Sequence, residues 1–140
     1  IIRTSWVYSR FGNNFVKTML SLFATKDELN IVADQFGQPT NANDLAEAIM
    51  KIIKSEKITP GIFNFSNLGR ISWFDFAEKI AELSEAKIKL NAIETSQYPT
   101  PAKRPKNSVL DLDKISKTYA IQLKPWEESL EDCVQILQNN

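Results

Sequence analysis

The chain of 140 residues is long enough for about one domain with a sizeable core, and its hydrophobic fraction of 43% is ordinary for a globular protein. Lysine plus arginine number 17, as do aspartate plus glutamate, so the net charge of zero indicates neither nucleic acid nor an anionic membrane as a partner. The absence of histidine excludes Ser-His-Asp and Cys-His catalysis and imidazole metal sites. The single cysteine, Cys133, excludes an intramolecular disulfide and a thiolate metal cluster, and its apolar helical surroundings predict a small core residue.

No apolar run approaches the roughly 18 residues of a membrane span, and no signal-peptide pattern is present. We therefore expect a cytoplasmic protein that binds neither a membrane nor nucleic acid. The chain opens without methionine in the middle of a predicted strand, and we expect another segment to precede it.

The first predicted unit is a strand followed by a helix. Residues 1–5 form the strand, which runs into a polar loop that carries Trp6 and Tyr8. Open α/β sheets bind ligands beyond the carboxyl ends of their strands, so this loop is predicted to face a ligand. Asn13 or Asn14 suits the cap of the helix, and the polar side of this helix could face the same ligand. Apolar residues at helical spacing predict about three turns: Phe15, Val16, Met19, Leu20, Leu22 and Phe23.

The second unit repeats this order. Residues 29–33 read as a strand, and Gly37 and Pro39 then predict an irregular turn. Asn41, with Asp44 three positions later, resembles a capping box in front of the second helix.

The third unit has the clearest helix start. Residues 62–65 read as a strand, and Ser72 with Asp75 forms a capping box before an apolar helix. This helix is predicted to end near Ser84, and the alternating pattern of residues 88–93 predicts a half-buried strand.

A proline-rich loop separates this part from the C-terminal helices. Residues 97–106 contain three of the six prolines, which predicts an extended loop, and they concentrate Lys103, Arg104 and Lys106. Residues 108–110 are predicted to form a brief strand.

Two helices are predicted at the end of the chain. Asp111 is predicted to cap a short helix that runs to about Tyr119, and Pro125 suits the first position of the last helix. The full order is β-α-β-α-β-α-β-loop-α-α, which predicts an α/β fold with short strands and about five helices.

The chain lacks the motifs of a catalytic or cofactor-binding domain. Its glycines, at positions 12, 37, 61 and 69, are too far apart for a phosphate-binding G-x-G-x-x-G loop. None of its three tyrosines is followed four residues later by lysine, as the Tyr-x-x-x-Lys pair of nicotinamide reductases requires. We therefore predict no catalytic, cofactor-binding or metal-binding residue in this chain.

The remaining candidates suit recognition. Trp6 and Tyr8 could stack on a sugar or a base, or could be ordinary core aromatics. Arg104 could clamp a phosphate through two hydrogen bonds, or could be a solvated loop charge. Gln38 and Thr40 offer an amide and a hydroxyl beside a helix start, where roles in the turn explain them equally well.

Four ordered blocks across nearly the whole chain resemble the dTDP-4-dehydrorhamnose reductases. They are RTSWVYS (residues 3–9) with GNNFV (12–16), DQFGQPT (34–40) with DLA (44–46), SWFDFA (72–77), and PTPAKRPKNSVLD (99–111). This family of extended short-chain dehydrogenase/reductases uses NADPH or NADH to convert dTDP-4-dehydro-L-rhamnose to dTDP-L-rhamnose, a precursor of surface polysaccharides. Its fold joins an N-terminal Rossmann domain to a smaller C-terminal domain that holds the sugar nucleotide.

The resemblance covers only the second part of the family. It implies that residues 1–140 are a C-terminal sugar-nucleotide-binding domain, that residues 1–9 end the Rossmann sheet, and that the N-terminal cofactor domain is absent. The catalytic residues would then lie upstream, and the chain alone would bind no cofactor and catalyse nothing.

The resemblance also assigns binding residues. Trp6 matches the tryptophan that lines the sugar pocket, and Arg104 is expected at the nucleotide phosphates of a dTDP-sugar. Asn13, Gln38 and Thr40 are further lining candidates.

Two other interpretations stay open. The regulatory subunit of methionine adenosyltransferase resembles the same family, so the chain could be a non-catalytic partner-binding module. Alternatively, it could be a truncated domain that buries exposed apolar surface by forming a homo-oligomer, or that is stable only with its missing half. An upstream Tyr-x-x-x-Lys would favour the enzyme.

Overall fold

The structure is a computed structural model that describes residues 1–139. Its short strands pair two by two. Three pairs are parallel and one is antiparallel. The parallel pairs are β1 (Ile2–Arg3) with β6 (Phe63–Asn64), β2 (Val7–Tyr8) with β5 (Thr40–Asn41), and β3 (Glu28–Val32) with β8 (Lys89–Ile93); β4 (Phe36–Gly37) pairs antiparallel with β7 (Ile71–Ser72).

Five α-helices alternate with these strands, so the predicted α/β class and number of helices are confirmed. They are α1 (Phe15–Phe23), α2 (Ala42–Ile53), α3 (Trp73–Leu83), α4 (Asp113–Tyr119) and α5 (Trp126–Gln138), and a single 3₁₀ turn covers Thr95–Gln97. None of the helices within residues 1–139 has both the length and the apolar character that crossing a bilayer requires.

Side chains at the helix starts confirm two predicted caps. The Asn14 side chain accepts a hydrogen bond from the Lys17 amide at the start of α1. At the start of α3, the Ser72 hydroxyl accepts from the Asp75 amide at 3.1 Å, and the Asp75 carboxylate accepts from the Ser72 amide at 2.8 Å. This reciprocal pair is the predicted capping box.

The predicted capping box at the start of α2 is half wrong. Asn41 does cap the helix, accepting from the Asn43 amide at 2.9 Å. The Asp44 carboxylate turns inward instead, where it accepts hydrogen bonds from Asn67 and Ser129. Distant donors therefore replace the local backbone amide that the capping pattern predicts.

The region before the last helices also differs from prediction. The brief strand predicted over residues 108–110 does not form, although Asn107 makes an isolated bridge to Phe36. Asp111 accepts from the Asp113 amide at 3.0 Å and so stabilises the start of α4. Pro125 lies one position before α5, where its fixed backbone suits the helix entry.

Two separate hydrophobic cores hold these elements. The larger core lies among α1, α3, α5 and β3, and its buried members include Val16, Phe76, Ile80, Leu130 and Cys133. The predicted core role of Cys133 is confirmed, and burial raises the pKa of its thiol. The smaller core consists of the buried residues Ala48, Phe63, Phe65, Ile115, Tyr119 and Ile121.

Candidate functional site

A cleft of about 690 Å³ opens beside the larger core. It lies between the loop after β1, helix α1, strand β3 and the proline-rich loop. Its lining is mainly apolar and aromatic, with a few polar groups. The lining residues are Ser5, Trp6, Phe15, Met19, Leu22, Leu29, Asn30, Ile31, Val32, Gln35, Phe36, Trp73, Tyr98, Thr100, Arg104, Pro105 and Ser108.

Trp6 is held in an uncommon backbone conformation at one wall of this cleft. Its φ of 47° lies in the left-handed region, which costs a non-glycine residue about 1–2 kcal/mol. Its carbonyl accepts a hydrogen bond from the Thr40 amide at 3.2 Å. A Cβ atom on Gly37 would lie 2.5 Å from the indole, so only glycine lets the chain approach the ring this closely. The surrounding structure therefore determines where the Trp6 ring lies.

Trp73 completes an aromatic platform with Trp6. The two indoles stack with centroids 3.6 Å apart and planes 13° apart. Phe15 contacts Trp73 from α1, at a centroid distance of 4.7 Å. Because Trp73 is the first residue of α3, the capping box of that helix fixes the backbone from which this side chain projects. The wall is thus built from two rigid rings rather than one.

The proline-rich loop lines part of the cleft, and both of its ends are anchored. On one side, Asp34 accepts two hydrogen bonds from Thr95, at 2.6 and 2.8 Å, which hold the pKa of the Asp34 carboxyl below its usual range. On the other side, the Phe36 amide donates to the Lys106 carbonyl, and the Ser108 amide donates to the Phe36 carbonyl. The loop that carries Arg104 is therefore fixed relative to β4.

Arg104 brings an uncommitted positive charge to this site. Its side chain is exposed and belongs to the cleft lining. Among residues 1–139, no carboxylate forms an ion pair with it. A guanidinium stays charged at all physiological pH values and matches the geometry of a phosphate, so this end of the cleft is suited to an anion.

The five predicted binding residues separate into two groups. Trp6 and Arg104 come together in the cleft lining, although 98 positions separate them in sequence. Gln38 and Thr40 are buried outside that lining, where Gln38 accepts from the Leu110 amide at 2.8 Å and Thr40 accepts from the Thr4 hydroxyl at 3.0 Å. Asn13 is exposed and also lies outside the lining. Of the five predicted binding residues, only Trp6 and Arg104 therefore line the cleft.

Tyr8, for which stacking and core roles were both open, is a core residue. Only 1% of it is exposed, and its ring meets Phe76 edge to face at 5.5 Å. Burial raises the pKa of its hydroxyl far above the usual range.

Several lining residues could not be identified from the sequence pattern. The helical spacing places Trp73 on a core face, and nothing local distinguishes it from Phe76. Tyr98 and Ser108 lie in irregular segments without a periodic pattern. The position of Trp73 directly after the capping residue Ser72 is the available sequence signal, and it indicates a helix start rather than a ligand contact. Across residues 1–139, no three Cys, Asp or Glu side chains are grouped in a way that could hold a metal ion.

Comparison with known proteins places nearly the whole chain in one family. The family model described as the RmlD substrate binding domain matches residues 1–139. The chain is 49% identical over 138 residues to a dTDP-4-dehydrorhamnose reductase of Sinorhizobium fredii, an alignment that covers 92% of this chain and 47% of that protein. It is 40% identical over 136 residues to the reductase of Escherichia coli, covering 91% and 46% respectively. The chain spans about half the length of the curated relatives it matches.

The chain is also similar to solved structures of dTDP-4-dehydrorhamnose reductases. A dTDP-4-dehydrorhamnose reductase from Clostridium acetobutylicum is 40% identical with a TM-score of 0.90, over 98% of this chain and 48% of that one. The Bacillus anthracis reductase, solved in complex with NADP, is 38% identical with a TM-score of 0.91, over 96% and 47%. The arrangement of strands and helices described above thus belongs to an established fold.

Proposed function

Because this chain belongs to the RmlD substrate binding domain family, we propose that its cleft binds the dTDP-sugar of a dTDP-4-dehydrorhamnose reductase. One observation carries the proposal. The stacked Trp6–Trp73 platform and the unpaired Arg104 line the same cleft. Flat apolar rings suit the faces of a hexose or a base, and a guanidinium suits a phosphate, so the cleft combines the groups that a sugar nucleotide needs.

The chain contributes binding and orientation to the reaction we propose. In the intact enzyme, NADPH or NADH would supply the hydride that reduces the keto group of dTDP-4-dehydro-L-rhamnose. The four widely spaced glycines of this chain do not fit a dinucleotide, so we assign that cofactor to the other half of the enzyme. The platform and Arg104 would hold the sugar nucleotide at both ends, which limits the positions that its keto group can adopt.

We further propose that the other half covers the apolar surface around the smaller core. Exposed apolar side chains cluster on the segments that build this core: Ile1, Ile49, Met50, Ile53, Ile58 and Ile62. Within the described residues, β1 pairs with β6 alone, which leaves its other edge open to a further strand. A cofactor-binding half that extends this sheet would bury both features, in line with the lengths of the relatives. We also propose that the intact enzyme is cytoplasmic, because its substrate and product are soluble sugar nucleotides.

The cleft also favours the reductase over a non-catalytic partner-binding module. The platform and Arg104 lie in a concave site of ligand size, which a partner-binding module does not require, and the relatives at 49% and 40% identity are reductases.

Calorimetric titration of the chain with dTDP tests the proposed site. We expect saturable binding and a change in tryptophan fluorescence, because two of the three tryptophans line the cleft. Trp6→Leu should weaken dTDP binding by about tenfold, since stacking on an aromatic ring contributes roughly 1–3 kcal/mol per base. Trp126→Phe, at a buried position outside the cleft lining, is the matched control and should bind like the unsubstituted chain.

Two results would contradict the proposal. One is the absence of dTDP binding by the unsubstituted chain in its folded state, verified by circular dichroism. The other is NADPH-dependent reduction of dTDP-4-dehydro-L-rhamnose by this chain alone, which would place the catalytic groups here rather than in the other half.

A further inference from the structure

Arg70 carries a second uncommitted guanidinium beside the cleft. Its terminal carbon lies 3.8 Å from the centroid of the Phe36 ring, and Phe36 is part of the cleft lining. Arg70 is exposed, and among residues 1–139 it takes part in no ion pair. Arg70 lies outside both the helix patterns and the proline-rich loop, so the sequence analysis does not identify it as a binding residue.

Strand β4 lies between Arg70 and the loop that carries Arg104. On one side, Phe36 bridges to Asn107 and bonds to the Lys106 carbonyl, three and two positions beyond Arg104. On the other side, Phe36 pairs with Ser72 in β7, two positions beyond Arg70. The two arginines therefore approach the Phe36 segment from opposite sides.

The backbone that leads to Arg70 is held in place. The Leu68 amide donates to the Lys124 carbonyl, and the Trp126 amide donates to the Leu68 carbonyl, both at 2.9 Å. Gly69, with a φ of 122°, passes directly against the Trp126 ring, where a larger residue has no room. A side chain on such a fixed segment loses less freedom when it binds a ligand.

Stacking leaves the hydrogen-bonding capacity of Arg70 unused. The guanidinium carbon lies over the Phe36 ring, whereas the five N–H donors project outward from the edge of the group. Contact with the ring therefore uses no donor. A group that is charged, oriented and free of a carboxylate at the edge of a ligand cleft is suited to an oxyanion.

We propose that Arg70 acts with Arg104 as a two-guanidinium clamp on the diphosphate of the sugar nucleotide. This assignment rests on the proposed function and deepens it. Arg104 approaches the diphosphate from the proline-rich loop, and Arg70 approaches from the start of β7. Selectivity for a diphosphate over an uncharged nucleoside then comes from two groups rather than one.

Titrations of the full 140-residue chain with dTDP and with thymidine test this role. Arg70→Gln should weaken dTDP binding by about tenfold or more, because the substitution removes charge-assisted hydrogen bonds to the phosphate oxygens. It should leave thymidine binding unchanged and reduce the salt dependence of dTDP binding. Arg10→Gln is the matched control: Arg10 also lies over a ring, that of Phe11 at 4.6 Å, but Phe11, unlike Phe36, does not line the cleft.

The outcomes separate this inference from the proposed function. If Arg70→Gln binds dTDP as tightly as Arg10→Gln does, the clamp is wrong, while the Trp6 and Arg104 site stands. If Arg70→Gln weakens thymidine and dTDP equally, Arg70 merely supports Phe36, and the clamp is again wrong. If the unsubstituted chain binds no dTDP, both the proposed function and the role of Arg70 are overturned.

Discussion

The larger and the smaller core differ in how completely the chain encloses them. The larger core lies among α1, α3, α5 and the β3–β8 pair, and the candidate cleft opens beside it. The smaller core has six buried members, yet the segments around it carry apolar side chains that face solvent, such as Ile53 and Ile58 at 59% and 61% exposure. An opening lined by rigid aromatic and charged groups suits a small ligand, whereas an unenclosed apolar surface suits another layer of protein.

A buried polar network joins the two cores. The Asp44 carboxylate accepts from Ser129, Asn67 and Lys124, and Asn67 in turn accepts from the Asn41 amide. Burial by itself would raise the pKa of the Asp44 carboxyl, but the hydrogen bonds from its three partners outweigh this effect and hold the pKa below its usual range. The network links α2, which borders the smaller core, to α5, which belongs to the larger one.

The largest expected effect comes from matched truncations in the two cores. Ile80 in the larger core and Ile115 in the smaller core are both fully buried. Replacement of isoleucine by alanine costs about 2–5 kcal/mol of unfolding free energy, depending on how well the site can collapse. We expect about 4 kcal/mol for Ile80→Ala and about 2 kcal/mol for Ile115→Ala, because the smaller core has an unenclosed side that can relax. Urea denaturation measures both, and equal losses would contradict the proposed difference in enclosure.

Removing the charge of Asp44 should have an intermediate effect. Asp44→Asn exchanges a strong acceptor for a neutral group among fixed donors, at a cost of about 2 kcal/mol at pH 7. Because the folded-state pKa of Asp44 lies below the unfolded value, its stabilisation is complete above the unfolded pKa and is lost as pH falls through the folded pKa. Unfolding free energy should therefore decline less steeply below about pH 4 in Asp44→Asn than in the unsubstituted chain.

Asp113→Asn is the control for this substitution. Asp113 pairs with Lys117 on the surface, where both side chains are about three-quarters exposed, and we expect a change below about 0.5 kcal/mol at pH 7. An equally steep acid loss in Asp44→Asn and in the unsubstituted chain would show that the network between the cores does not depend on this carboxylate.

The smallest effect on stability is expected on the apolar surface around the smaller core. Replacing Ile53 and Ile58 together by lysine should change the unfolding free energy by about 0.5 kcal/mol or less, because both side chains are mostly exposed. The same change should reduce self-association of the chain in sedimentation velocity measurements. Phe11→Lys, at an exposed apolar position far from α2 in sequence, should leave self-association unchanged. If the Ile53 and Ile58 double variant self-associates as strongly as Phe11→Lys does, the apolar surface around the smaller core is not a protein-binding surface.

Local patterns in the sequence determined most of the secondary structure. The caps at Asn14 and Ser72 and the strands predicted over residues 29–33 and 88–93 rest on interactions within a few positions, and they appear as β3, β8 and the starts of α1 and α3. The resemblance of four sequence blocks identified the family that the comparisons confirm. It also assigned Trp6 and Arg104, which residue chemistry had indicated separately, to one binding site, and both line the cleft.

Tertiary structure alone decided which of these groups line the cleft. Gln38 and Thr40 look like lining residues in sequence, yet distant backbone and side-chain partners bury them. Trp73 looks like a core residue, yet its ring stacks on Trp6 in the cleft. The physical reason is that capping and periodicity depend on neighbours along the chain. Enclosure depends instead on which surfaces meet after strands far apart in sequence have paired.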